Sequence, residues 1–378
     1  LTKLKQLSLI PAFAAFFLNV PTALAATLGI YSLTDLGNLG ATAGGPFFPR
    51  YINENNQVVG VGPTGTPGQY AAYSSVNGAG MSNIGGLGGN SVAFALNNSG
   101  SAVGQSENGP VTTATRWIAG VPSAVSGLSG PNNSAGGINN SGQIAGWMDA
   151  PSGGAVAYRL TGGTLENFGN LGGLVSDIDG MNSSGRFVGN SETATGGFNS
   201  FRAFVSSTSS NTLLDLGLLS PTHNSSLAFG INDAGAVIGT SNFFQASPFV
   251  FTTQGFVWQN GVMREIPSPL SYEILSPSGI NNSGIVVGRT SPNAFSRADE
   301  AWLFDGVELH LLTSHLESSL TGWKITNAWE INDSGFIAAE ALDPNGIVRN
   351  VLLSPVPEPG SALLAFLVAT TLGLRRRR

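Results

Sequence analysis

Three histidines, no cysteine and 22 acidic side chains set what chemistry this chain of 378 residues could perform. His310 and His315 stand close together without a third ligand nearby, and His223 is isolated, so the spacing predicts no metal site. Asp177-Ile178-Asp179-Gly180 has the opening of a calcium loop. It lacks the further oxygen ligands and the closing Glu, and reads as a turn. Cysteine chemistry is excluded, and Ser/His/Asp catalysis has no local signature. A carboxylate pair for glycoside cleavage could be drawn from Asp149, Glu192, Asp299 or Glu340. Trp147, beside Asp149, could stack on a sugar face. The competing reading, a tryptophan wedged against a neighbouring element, fits the usual burial of Trp better. No catalytic residue and no cofactor is predicted.

Whatever these groups do, a repeat has to position them. One phrase returns along the chain: an apolar residue, Asn, two small or polar residues, Gly, then an apolar strand. It reads Ile52 to Gly60, Leu96 to Gly104, Ile138 to Gly146 and Met181 to Gly189, then Ile231 to Gly239, Ile280 to Gly288 and Ile331 to Ala339. The spacings are 44, 42, 43, 50, 49 and 51 residues. Asn can bond its own backbone two residues on and Gly accepts positive φ, so N-x-x-G joins two antiparallel strands. Asn56 stands for Gly in the first copy and is the next most tolerant residue there.

Downstream of each copy come an aromatic strand, as in Gly255-Phe256-Val257-Trp258, a tight turn such as Asn77-Gly78 or Asn260-Gly261, and a Leu-Gly strand. Four short strands per unit is the size of a propeller blade. The chain also starts, at Ser32 to Gly40, with the last strand of a unit that has no unit before it, while the seventh unit lacks its last strand. The expectation is an all-β, seven-bladed β-propeller closed by the N-terminal strand, with a β-solenoid as the alternative. Trp117, Trp258 and Trp302 fall in its inter-blade core. The N-x-x-G and N-G turns then share one rim and the variable loops the other. On that second rim the candidate ligand-binding residues are Gln105, Trp147, Asp149, Asn190, Arg289 and Glu340, which differ most in chemistry from copy to copy.

From Ser32 to Leu353 the pattern resembles the HAF family of extracellular repeats, although the histidine of that family's His-Ala-Phe strand is replaced by Arg202, Gln254 and Glu300. Two ends lie outside the repeats. Residues 1–26 carry Lys3 and Lys5, an apolar stretch from Leu7 to Leu18 and Ala23-Leu24-Ala25, the layout of a secretory signal peptide. Residues 355–378 carry Val356-Pro357-Glu358-Pro359, an apolar segment expected to be helical, and Arg375, Arg376, Arg377 and Arg378. That order resembles the PEP-CTERM sorting signal, which implies an exosortase as partner, a transient inner-membrane intermediate and a final place at the cell surface or outside it. Residues 27–354 remain as the repeat domain.

Without the two ends the chain has 10 basic and 21 acidic residues, a net charge of −11 that disfavours nucleic acid. The expected function is a non-catalytic binding or scaffold propeller of the cell envelope or extracellular matrix, associated with exopolysaccharide. The alternative is a propeller glycosidase or polysaccharide lyase. Ice binding, a third reading, would need a Thr-x-Thr ladder, and Thr113-Ala114-Thr115 and Thr193-Ala194-Thr195 stand alone.

Overall fold

The computed structural model describes residues 29–37, 48–195, 200–246, 249–268, 274–292 and 299–357. The expected signal peptide, the apolar tail, Glu358, Pro359 and the four C-terminal arginines lie outside the described residues. Among the described residues no helix is long and apolar enough to cross a membrane. The compact unit runs from Ile30 to Val356.

The first repeat shows how each unit is built. Phe48–Ile52, Gln57–Pro63, Tyr70–Val76 and Ser82–Gly85 pair in that order as one antiparallel sheet. The same order recurs throughout, giving five four-stranded sheets and one of eight strands. In the eight-stranded sheet, two sets of four are joined by a single parallel bridge, Thr253 to Ile274. The last sheet is completed from the other end of the chain: Tyr31–Asp35 lies antiparallel to Val348–Pro355, from Tyr31 opposite Pro355 to Asp35 opposite Val351. Leu36 N and Val356 N extend that pairing to Asn350 O and Ile30 O at 2.9 and 2.8 Å.

Every N-x-x-G phrase forms the turn its residues dictate. The fourth residue donates its N–H to the Asn carbonyl in all seven copies, from Asn56 to Asn53 at 3.1 Å through to Gly335 to Asn332 at 3.0 Å. That residue has positive φ in each case, 55° at Asn56 and 77° at Gly142. The Asn side chain has a second task that the turn does not reveal. Its Oδ1 accepts from its own turn, and its Nδ2 donates to the corresponding turn of the next repeat. Asn53 reaches Asn97 O, Asn97 reaches Asn139 O, and Asn139 reaches Ser183 O. Asn182 reaches Asn232 O, Asn232 reaches Asn281 O and Asn281 reaches Asn332 O. Asn332 then returns to Asn53 O at 3.0 Å. The circuit is closed, and all of these asparagines are buried.

Apolar packing closes at the same seam. Leu36, Ala338 and Leu352 of the last sheet form one core cluster with Ile52, Val58 and Tyr73 of the first. First and last repeats in contact overturn the solenoid alternative, whose ends would stand apart. The fold is a β-propeller. Trp117, Trp258 and Trp302 are buried in the clusters between sheets, as expected of large apolar side chains on the third strand.

A glycine explains how the strands approach. The last residue of the phrase lies opposite the third strand's large residue: Gly60 by Tyr73, Gly146 by Tyr158, Gly239 by Phe256, Gly288 by Trp302. A Cβ there would run into a carbonyl of the first strand, Phe48 O for Gly60 and Ser134 O for Gly146, and into the ring itself. In the seventh copy Ala339 faces the smaller Val351, and the first strand carries an additional register shift between Ile325 and Asn327.

Candidate functional site: the central channel

Each innermost strand contains a β-bulge at the same place, three residues before the repeated Asn. The strand pairing skips Arg50, Phe94, Gly136 and Asp179 in the first four repeats. It skips Phe229, Ser278 and Trp329 in the last three. A bulge leaves its residue unpaired and re-aims the side chain. All seven line one cavity of about 550 Å³ at the centre of the ring. A cationic, an acidic, a hydroxyl and three aromatic side chains thus occupy equivalent positions, which is a chemically specified channel rather than a repeated surface.

The adjoining layer comes from the second strand, at the position directly after the close-approach glycine. Gln105, Trp147 and Arg289 line the same cavity. These three, with Asn190 and Glu340, were expected on a loop rim. They lie instead within strands, opposite Val92, Ser134, Ser276, Asp177 and Asn327 respectively. The apolar run continues as strand beyond the glycine, so these variable positions lie deeper than the loops. Trp147 is half-buried in the channel wall rather than wedged between sheets. Asn190 donates to Asp179 Oδ2 at 2.6 Å and accepts from Ala228 N at 2.8 Å, so it holds the acidic bulge residue in place. Asp149 is outside the cavity lining. Its Oδ2 accepts from both Asn132 N and Asn132 Nδ2 at 3.0 Å, an internal staple.

The remaining carboxylates proposed for a pair also divide. Glu192 accepts from Leu174 N at 2.9 Å. Asp299 bonds Ser291 and pairs with Arg289 at 3.3 Å. Burial raises the Glu340 carboxyl above the usual range, with Arg289 opposing the shift and Asp299 adding to it. His310 approaches Asp305 at 3.5 Å and stands edge-on to His315, while His223 bonds Ser241.

Sequence reasoning missed the acidic centre of the channel. Asp177 and Asp179 were read as a turn, but both belong to the ten-residue strand Gly172–Met181. Alternation along a strand puts residues two apart on one face, and the bulge keeps Asp179 on the channel side. Both side chains are exposed to the channel, whose wall is built from the surrounding strands. Burial within that wall raises Asp179 well above the usual carboxylate range, the Asp177 charge adds to that, and Arg50 opposes it. Asp177 is raised by burial as well, against Arg50 and the N–H of Ile178. Glu330, next to the bulge residue Trp329, is pushed up to about 8 by burial, although Ile331 N donates to it at 3.1 Å.

Arg50 faces this acidic wall. Its guanidinium lies over the rings of Phe48, Phe94 and Trp329, at 4.7, 5.5 and 5.5 Å from their centres. Phe48 and Trp329 stack on each other at 5.0 Å. Burial lowers the Arg50 pKa, with Asp179 and Asp177 pulling the other way. Its Nε is sealed under the rings without a hydrogen bond. The signal was available in the sequence: counting back three residues from each repeated Asn gives Arg, Phe, Gly, Asp, Phe, Ser and Trp.

A second cavity of about 260 Å³ opens on the turn face, lined by the asparagine circuit. Tyr51, Asp179, Phe229 and Glu330 line both cavities.

No family model and no curated protein matches the chain. Solved structures do. TolB from Acinetobacter baumannii is similar at 12% identity and a TM-score of 0.46, over 79% of this chain and 63% of that one. The β-propeller domain of the Trilobed protease from Pyrococcus furiosus has 12% identity and a TM-score of 0.46, over 87% and 84%. XC5397 from Xanthomonas campestris, a gluconolactonase, has 13% identity and a TM-score of 0.41, over 89% and 93%. None of these similarities assigns an activity to this chain.

Proposed function

We propose that this chain is an exported seven-bladed propeller, closed by its N-terminal strand, that binds or scaffolds polysaccharide of the cell envelope or extracellular matrix without catalysing a reaction. The observation that carries this reading is the set of seven bulge residues, six of them with side chains that are cationic, acidic, hydroxyl or aromatic, converging on one cavity of about 550 Å³. That size lies within the roughly 300–1,000 Å³ of small-ligand sites. Polar groups beside aromatic faces suit a sugar, whose rings have apolar faces and hydroxyl edges. Export and sorting rest on the two ends: a signal peptide at 1–26, and a tail that an exosortase would process after an inner-membrane intermediate.

One observation favours the enzymatic alternative. Asp179 and Glu330 hold their protons above the usual range, beside Asp177, and such a pairing can serve acid–base chemistry on a glycosidic bond. Purified protein incubated with the producing organism's exopolysaccharide separates the two. Co-sedimentation without new reducing or unsaturated ends is the expected result. Release of such ends, abolished by Asp179→Asn, would establish a glycosidase or lyase instead. Sorting has its own test: with Pro357 and Pro359 replaced, unprocessed protein should collect in the inner membrane, and normal release would sink the exosortase reading.

A further inference from the structure

The Arg50 guanidinium is positioned but unused. Three rings cover it, which stabilises a cation but cannot accept its N–H bonds in their plane. No described residue ion-pairs or hydrogen-bonds with it, although it lines the channel. Asp177 and Asp179 belong to the fourth repeat and Arg50 to the first, nearly half-way round the ring. They influence Arg50 electrostatically across the cavity rather than by contact. A wall of donors therefore faces a wall of acceptors over open space. A sugar bearing neighbouring hydroxyls fits between them, because each hydroxyl both donates and accepts.

The channel also divides into a wide and a narrow cavity. Tyr51, Asp179, Phe229 and Glu330 form the wall common to the two cavities, and two of them are tied down, Asp179 by Asn190 and Glu330 by Ile331 N. Beyond it stands the closed asparagine circuit. A polymer end entering from the wide cavity meets these four side chains before it meets the narrower one.

We propose that the channel captures the terminus of a polysaccharide chain, with Arg50 donating to hydroxyl oxygens of the end residue and Asp177 and Asp179 accepting from its hydroxyl protons. This rests on the polysaccharide reading above. Binding is then counted in chain ends, not in polymer mass, and the middle of a chain is ignored.

The test compares the producing organism's exopolysaccharide before and after sonication, which multiplies ends at constant mass. Bound protein at saturation should rise in proportion to the number of ends. Arg50→Gln, with its melting curve checked, should weaken binding about tenfold or more, since bonds from a charged donor are lost. Should Arg50→Gln unfold the protein, Asp177→Asn gives the same readout from the opposite wall. Binding that follows mass regardless of sonication would overturn terminus capture while leaving the polysaccharide reading intact. Absence of binding to either preparation would overturn both.

Discussion

Burial of the Glu330 carboxyl couples the channel to pH. In the folded chain its proton is held up to about 8, whereas an exposed glutamate releases it near 4.3. The folded state thus binds more protons across that window. Its stability contribution is full below about pH 4 and is lost as pH rises through 8. Glu330→Gln keeps an oxygen for the Ile331 N–H and removes the titration. The variant should be no more stable than the parent at pH 4 and more stable at pH 9, the gap growing by roughly 1.4 kcal/mol per pH unit between about 4.3 and 8 to at most about 5 kcal/mol. Two melting curves that stay parallel from pH 4 to 9 would mean that Glu330 does not keep its proton. Asp177 and Asp179 have raised values of the same sign, so the difference between the two proteins, and not the slope of either, isolates Glu330.

At the scale of the strand, two glycines of one phrase have unlike duties. Gly142 closes its turn at φ 77° with nothing within 4 Å of a would-be Cβ. Gly146 has an ordinary backbone angle, but a Cβ would strike Ser134 O and come within 2.8 Å of the Tyr158 hydroxyl. Gly142→Ala should cost about 1–2 kcal/mol, the strain of a left-handed alanine. Gly146→Ala must push two strands apart and should cost more, about 3 kcal/mol or above by the scale of core overpacking. Equal losses in denaturant titration would contradict the close-approach role. The contrast also shows why some of the architecture was legible in the sequence and some was not. A turn is local, so Asn97 and Gly100 announce it three residues apart, and repetition then declares the strand count. The asparagine circuit joins residues 42 to 51 positions apart, and the carbonyl it uses belongs to any residue type. The bulge is likewise silent in any one copy. It shows only when Arg50, Asp179 and Trp329 are aligned by their distance from Asn, which makes the variable position one residue class wide and places it in the channel rather than on a loop.

The whole ring depends on a joint made by residues far apart in the chain. Tyr31–Asp35 supplies the outer strand of the last sheet, Leu36 is fully buried in the seam cluster, and Asn332 bonds both Asn53 O and Asn56 Oδ1. A strand lost from this joint costs its own pairing and also exposes the edge Val348–Pro355 to other chains. The sheets gain their apolar cover from their neighbours, so each sheet next to a gap loses half of its support. Removing residues 30–36 from the folded body should therefore lower the melting temperature, broaden the transition and bring concentration-dependent association. Adding back a peptide of those residues should reverse all three. Asn332→Ala tests the same joint at its hydrogen bonds: Asn53 O keeps Asn56 N but loses its donor from across the seam, and Phe336 N loses its side-chain acceptor, which together should cost about 1–3 kcal/mol. An identical melt for the truncated and full chains would show that the ring is held by its neighbours alone, and the joint would then be a guard against edge-to-edge pairing rather than a source of stability.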